Sequence, residues 1–288
     1  MTPATRPTAS LRRYLAVPAL LALAACAAPG SGSDEDDVGE GAGADTVSAE
    51  GWAAVGNGVA YRRAGEGDAV FIAYGGYSAK DAWVRAWASE LSRAKLAALG
   101  VGHLYAVRGP SDPGYRGREI GNSALATHLA RGAGPDAPFI LAAAHSSGSF
   151  VAHELLGALR GDGERALLGK LVYANLDGGG SGLDRDLVRG MRRAAFVYAV
   201  DPTLGAGRSA NASAAESLAA AYGSAPVKLT VRSSGCRSGA KWCLHDLVIT
   251  TRPHNPDAYD LARDYTRFDG RPVQTGWVEA LTDELRGR

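Results

Sequence analysis

Ser146 is the residue around which chemistry can be built. It lies in Ala144-His145-Ser146-Ser147-Gly148, between the apolar run Phe139 to Ala144 and the helix-compatible run Ser149 to Leu156. Small residues two before and two after a serine, set between a strand and a helix, permit a turn sharp enough to lift the hydroxyl clear of a sheet. Ser147 does not fit the same frame, which would need a small residue at His145 and glycine at Ser149. A hydroxyl at its ordinary pKa is a weak nucleophile, so such a serine needs a base, and the base needs an acid to orient it. Attack on a carbonyl also needs donors for the developing oxyanion. Upstream, Phe71-Ile72-Ala73-Tyr74-Gly75-Gly76-Tyr77 reads as a strand running into two glycines, a place where backbone N–H groups can be aimed.

The stretch around Ser146 resembles the nucleophile elbow of the α/β-hydrolase family, G-x-S-x-G. Ala144 stands where the first glycine would be, as in the Ala-His-Ser-x-Gly of some small bacterial lipases. The resemblance implies an α/β-hydrolase fold, a mainly parallel central sheet with helices on both faces. It also implies that Gly76 or Tyr77 supplies one oxyanion donor and Ser147 the other, each worth roughly 3 kcal/mol. The activity implied is cleavage of small carboxylic esters through an acyl-enzyme, with no metal or organic cofactor. An amidase or peptidase of the same fold, or an inactive surface protein that binds rather than cleaves, is the alternative.

The chain holds six histidines. His103 begins a strand-like run, His128 and His153 fall in helix-like segments, and His145 occupies the elbow, which leaves His245 and His254. Both follow the last clear strand pattern, so chain order does not separate them. Cys236 and Cys243, followed by Pro253-His254, are similar to the cutinase family, where a short disulfide loop precedes Pro-His. That resemblance implies a Cys236–Cys243 disulfide and favours His254, with His245 the runner-up. Cutinases carry the acid inside this loop, whereas Arg237 to Trp242 contains none. The resemblance to the α/β-hydrolase family implies a strand-end aspartate as the acid: Asp201, after the seventh strand where the general family carries it, is preferred to Asp177, after the sixth where a minority of lipases do, with Asp246 behind both.

These residues need a scaffold, and hydrophobic periodicity supplies one. Strands are expected at Val59 to Arg63, Ala69 to Tyr74, His103 to Val107, Phe139 to Ala144, Lys170 to Leu176, Ala195 to Val200 and Val227 to Ser233. Helices are expected at Lys80 to Leu99, Asn122 to Arg131, Phe150 to Arg160, Leu183 to Arg193, Ser213 to Tyr222 and Val273 to Leu285. Repeated strand-then-helix order predicts a parallel sheet covered on both faces, and a hairpin around Trp52 to Arg63 predicts antiparallel edge strands. Only Asp177 to Ala194 separates the sixth and seventh strands, too little for a large cap domain. Trp83 and Trp87, four apart, are read as core rather than as an acyl pocket.

Before this body, Arg12-Arg13 leads into the short apolar run Tyr14 to Ala25, ending in Leu23-Ala24-Ala25-Cys26. The run is shorter than the roughly twenty residues a spanning helix needs and has the order of an export signal. Its ending resembles the bacterial lipobox, which implies acylation of Cys26, a cell-envelope location and membrane attachment through the lipid anchor. Residues 1–25 are thus read as signal, 26–50 as an acidic, flexible tether and 51–288 as the folded domain. The tether holds Asp34, Glu35, Asp36, Asp37, Glu40, Asp45 and Glu50 without a Lys or Arg. A net charge of +1 excludes the basic excess of a nucleic-acid binder, and 46% hydrophobic residues suit a packed core. Asp177-Gly178-Gly179-Gly180-Ser181-Gly182 lacks the Gly-Lys-Ser/Thr ending of a phosphate loop and reads as a loop near the site. No histidine, cysteine or carboxylate spacing reads as a zinc site. Oligomeric state has no sequence signal.

Overall fold

The structure is a computed structural model that describes residues 51–112, 114, 117–161, 164–204, 207–232, 236, 241–252 and 272–287. The calls at Cys26 and His254, with the signal and tether, lie outside the described residues.

Nine strands form one mixed sheet. They are β1 (Ala53–Gly56), β2 (Val59–Arg63), β3 (Ala69–Tyr74), β4 (Val101–Val107), β5 (Ile140–His145), β6 (Leu171–Leu176), β7 (Arg193–Asp201), β8 (Gly207–Arg208) and β9 (Val227–Thr230). Their spatial order is β1-β2-β4-β3-β5-β6-β7-β8, with β9 also pairing β7. Pairs from β4 through β3, β5, β6 and β7 to β9 are parallel. The hairpin β1–β2 and the β2–β4 pair are antiparallel, as is the short β7–β8 pair.

Both faces of the sheet are covered, and the strand sequences explain why. In β3, Ala69, Phe71 and Ala73 belong to one core cluster while Val70, Ile72 and Tyr74 belong to the other. A strand apolar at every position is stable only when both faces are dry. The Phe71 side is packed by α1 (Asp81–Leu91), α7 (Lys241–Asp246), α8 (Gly276–Glu279) and α9 (Thr282–Arg286), through Trp83, Trp87, Leu244, Trp277 and Leu285. The Ile72 side is packed by α2 (Asn122–Arg131), α3 (Gly148–Ala158), α4 (Arg165–Leu168), α5 (Arg185–Gly190) and α6 (Ala212–Ala221), through Leu125, Leu155, Leu167, Leu187 and Ala215. Trp83 and Trp87 are fully buried with ring centroids 5.9 Å apart, which makes them core side chains, as expected.

Two expected helices are interrupted. The run after α1 continues as a π turn over Ser92–Leu96 and a 3-10 turn over Ala97–Leu99, and Gly100 at φ +84° ends it in a left-handed C-cap. The run expected from Val273 to Leu285 opens with Val273 bridged to Thr250 and then splits at Leu281, whose φ of −109° and ψ of 6° leave the helical region. Between β6 and β7 the chain forms α5 and its flanking loops. Among the described residues, no helix is long and apolar enough to cross a membrane.

Candidate functional site

The C-terminal ends of β3, β5 and β6 meet at Ser146. β5 ends at His145 and α3 begins at Gly148, so Ser146 and Ser147 alone make the turn. Ser146 has a φ of +55°, a left-handed conformation that costs a side chain-bearing residue on the order of 1–3 kcal/mol. Hydrogen bonds hold it there: its N–H donates to Leu176 O at 3.0 Å, and its carbonyl accepts from Ser149 N at 3.2 Å and Ser149 Oγ at 2.8 Å. The side chain is half-buried.

The glycine after the turn is required sterically. A Cβ on Gly148 would stand 2.3 Å from the Gly75 carbonyl oxygen, so glycine lets the β3 loop lie against the first turn of α3. A Cβ on Gly76 would meet Ser146 Cβ at 3.2 Å, which puts Gly76 directly beside the turn. The Gly76 carbonyl is tied to Ala79 N at 3.0 Å, and Ser78, with φ +58°, donates its N–H to Pro110 O at 3.0 Å. Ser147 is the N-cap of α3, where the first N–H groups have no intrahelical partner and carry the positive end of the helix dipole. Gly76 thus lies beside Ser146 from the β3 loop, with Tyr77 next along it, and Ser147 follows Ser146 within the turn.

Asp177 follows β6 and is fully buried with φ +50°. Its N–H donates to Val197 O at 2.8 Å and its carbonyl accepts from Asn211 Nδ2 at 2.6 Å. The carboxylate accepts from Ser209 Oγ at 2.7 Å on Oδ1, and from Asn211 N at 3.2 Å and His245 Nδ1 at 2.5 Å on Oδ2. In each of these contacts the carboxylate is the acceptor, so Nδ1 is the donor of its bond to Asp177. The imidazole of His245, 1% exposed, therefore carries its proton on Nδ1 and its lone pair on Nε2. That Nε2 is buried and has no hydrogen-bond partner among the described residues. His245 sits on α7, two residues beyond Cys243, which is joined to Cys236 by a disulfide with Cα atoms 5.7 Å apart. Trp242 packs its ring against His245 edge-on at 5.3 Å.

Asp177 and His245 both adjoin the Ser146 turn. His145, the residue before the serine, has its ring centroid 4.5 Å from that of His245. A Cβ on Gly178, the residue after Asp177, would stand 2.6 Å from Ser146 O. The triglycine run keeps this loop pressed down, since a Cβ on Gly179 would lie 2.4 Å from the Phe150 ring and one on Gly180 2.3 Å from Leu218.

Of the preferred sequence assignments, Asp201 is described and His254 is not. Asp201 is buried at the end of β7, but its carboxylate accepts from its own turn, from Thr203 N at 2.8 Å and Thr203 Oγ1 at 2.7 Å. Among the described residues, the histidine–aspartate pair brought together is the one ranked second, Asp177 with His245. Asp246 is buried on α7, its carbonyl accepting from Ile249 N and Thr250 N. Of the other histidines, His103 bonds Tyr61 and Arg63, and His128 bonds Tyr105 Oη at 2.8 Å. His153 donates from Nδ1 to Ser181 O at 2.7 Å and accepts from Tyr173 Oη at 2.9 Å, and burial pushes its pKa down to about 4.

Ser209 and Asn211 are the site residues that sequence reasoning missed. They stand just before α6, where serine and asparagine are ordinary helix-start residues, and nothing in their spacing points to Asp177. An oriented imidazole with a free Nε2 lone pair beside a serine in a strained turn can take up a hydroxyl proton, and the buried carboxylate behind it can stabilise the imidazolium. Comparisons of this chain with family models, with curated proteins and with solved structures return no match.

Proposed function

We propose that this chain is a serine hydrolase of the α/β-hydrolase fold that cleaves carboxylic esters through an acyl-enzyme. Ser146 is the nucleophile, His245 the general base and then acid, and Asp177 the carboxylate that holds the imidazole. Backbone N–H groups at Gly76 or Tyr77 and at Ser147 receive the oxyanion. The observation that carries this reading is the buried Asp177–His245 hydrogen bond of 2.5 Å beside a serine held at positive φ. Chain order supports it, because Ser146, Asp177 and His245 follow the order nucleophile, acid, histidine on strands β5 and β6 and beyond. The strand order, with antiparallel β2 next to β4 and a parallel run to β9, is compatible with that fold. The single short helix between β6 and β7 supports an esterase with no cap domain inserted there.

The mechanism follows from these positions. Ser146 Oγ attacks the ester carbonyl as His245 Nε2 takes its proton, giving a tetrahedral oxyanion and an imidazolium paired with Asp177. The imidazolium then protonates the departing alkoxide, leaving an acyl-serine. Water deprotonated by the same Nε2 attacks the acyl-serine, and as this second tetrahedral intermediate collapses the imidazolium returns the proton to Ser146 Oγ and the acid is released.

Labelling with a fluorophosphonate probe tests the reading. Wild type is expected to label and Ser146→Ala to remain unlabelled; wild-type protein that does not label refutes it. His245→Ala is expected to abolish labelling while His254→Ala retains it, and the opposite pattern transfers the base to His254. Export and acylation at Cys26 are proposed on Leu23-Ala24-Ala25-Cys26 alone. They predict that Cys26→Ser prevents metabolic incorporation of a fatty-acid label.

A further inference from the structure

His145 is a histidine of the site that the proposed triad leaves unused, yet it adjoins the Ser146 turn, the β3 loop at Gly76 and His245. It is the last residue of β5 and directly precedes Ser146. Its side chain is 1% exposed. Its ring lies against that of His245 with centroids 4.5 Å apart and planes inclined by 37°. Its Nε2 is 3.3 Å from the backbone carbonyl of His245, and because a carbonyl only accepts, Nε2 carries the proton and donates it. On the opposite edge, a Cβ on Gly76 would come within 3.1 Å of His145 Nδ1, so the ring is wedged between the β3 loop and α7.

We infer that His145 is a positioning residue. It sets the location of the His245 imidazole relative to Ser146, and it does so from the strand that carries the serine. The inference rests on the proposed triad. A six-residue helix is short to hold a general base within reach of a nucleophile on another element. Asp177 fixes the Nδ1 edge of His245 and Trp242 packs edge-on against its ring, so a swing of the ring about the Asp177 bond towards β5 is the motion left to restrain. The His145 ring blocks the swing by covering one face, and its Nε2–H fixes the backbone to which the imidazole is attached. Ser146, Gly76 and His245 are thereby referred to one rigid side chain. Such fixing acts on the reacting geometry rather than on substrate binding, and a misplacement of about 1 Å can cost as much as 100-fold in rate.

The test compares His145→Ala, His145→Phe and His145→Gln in the full chain, using p-nitrophenyl ester hydrolysis, fluorophosphonate inactivation rates and thermal melting. His145→Ala is expected to lower kcat and the inactivation rate together by about 10- to 100-fold with KM within about threefold. His145→Gln, whose amide nitrogen can reach the position of Nε2, is expected to recover most of the loss, and His145→Phe, which keeps the ring but not the donor, a smaller part. If His145→Ala does not fold, the wild-type, Gln and Phe proteins carry the comparison, with Phe expected to be the slower of the two variants. Three results overturn the inference: kcat of His145→Ala within twofold of wild type, a change confined to KM, or Gln no faster than Phe in proteins that melt alike. Wild-type protein that fails to label refutes the hydrolase reading itself. A wild type that labels beside an unimpaired His145→Ala refutes only this inference.

Discussion

Replacing Asp177 by asparagine tests the site most sharply, because the same substitution at Asp201 is its control. The Asp177 carboxylate accepts three hydrogen bonds, from Ser209 Oγ, Asn211 N and His245 Nδ1. Asparagine keeps one acceptor oxygen and replaces the other by an NH2 group, which at the Oδ2 position faces the donors Asn211 N and His245 Nδ1 and at the Oδ1 position meets the Ser209 hydroxyl, which must turn to accept. An unmet bond to a buried charged group costs about 1.5–3 kcal/mol, so a Tm lower by several degrees is expected. The catalytic effect is larger. In either orientation the imidazolium formed on attack loses its counter-charge, and with the NH2 group at Oδ2 the Nδ1–H tautomer is no longer enforced and the lone pair leaves Nε2. In a Ser-His-Asp triad the equivalent change lowers kcat by about 10⁴-fold, which is about 5.5 kcal/mol of transition-state stabilisation at 1.36 kcal/mol per decade. Asp201, by contrast, accepts from Thr203 in its own turn. Asp201→Asn is expected to keep kcat/KM within about tenfold of wild type, whatever it costs in stability. The assay is steady-state hydrolysis of a short p-nitrophenyl ester at pH 8, with circular dichroism to establish folding. A folded Asp177→Asn that retains more than a tenth of wild-type kcat/KM, or an Asp201→Asn that loses more than a thousandfold, refutes the assignment.

Other regions give equally direct outcomes. The pKa of His153 is pushed down from 6.5 to about 4 by burial, so between those values the unfolded chain binds the proton and the folded chain does not. Its contribution is complete above pH 6.5 and is lost as pH falls towards 4, up to about 3 kcal/mol; urea unfolding at pH 7 and pH 4.5 should show that loss, and His153→Gln should reduce it. Gly148→Ala forces a methyl to within 2.3 Å of Gly75 O, so it should destabilise the fold by about 1–3 kcal/mol and, by moving the β3 loop off the turn, lower kcat more than it raises KM. Trp87→Ala empties a fully buried site and should cost about 3–5 kcal/mol without altering acyl-chain-length preference; an altered preference in folded protein would make Trp87 a pocket residue.

The sheet was legible because its strands are buried on both faces. Runs such as Phe71-Ile72-Ala73-Tyr74 and Leu141-Ala142-Ala143-Ala144 carry no polar position, and the observed strands start or end within about two residues of the expected ones for most of the sheet. The elements that escaped notice are short. β8 has two residues and α7 six, lengths at which neither a two-residue nor a 3.6-residue period can be read. Those are the elements that decide the partners of Asp177: β8 leads into Ser209, and α7 carries His245. Asp177 and Asp201 look alike in sequence, each an aspartate closing an apolar strand. What separates them is tertiary: Asn211 and Ser209 fold back onto the first, and Thr203 caps the second.

Backbone strain provides an independent reason to connect Ser146 with Asp177. Among the described residues, the non-glycine positions at positive φ are Ser78, Ser146 and Asp177, and they sit in the loops after β3, β5 and β6. Each costs on the order of 1–3 kcal/mol, and a fold whose net stability is about 5–15 kcal/mol keeps such turns only where the surroundings enforce them. Here the surroundings do so by hydrogen bonds at both backbone atoms of Ser146 and Asp177, including Ser146 N to Leu176 O, which links the two loops directly. Glycine at these positions would relieve the strain but provide no side chain. On the proposed function, the left-handed turn at Ser146 presents the reacting hydroxyl and the one at Asp177 the carboxylate that meets His245. Ser146→Gly should accordingly raise the Tm or leave it unchanged while abolishing fluorophosphonate labelling. A Ser146→Gly protein clearly less stable than wild type would mean that the serine serves the fold.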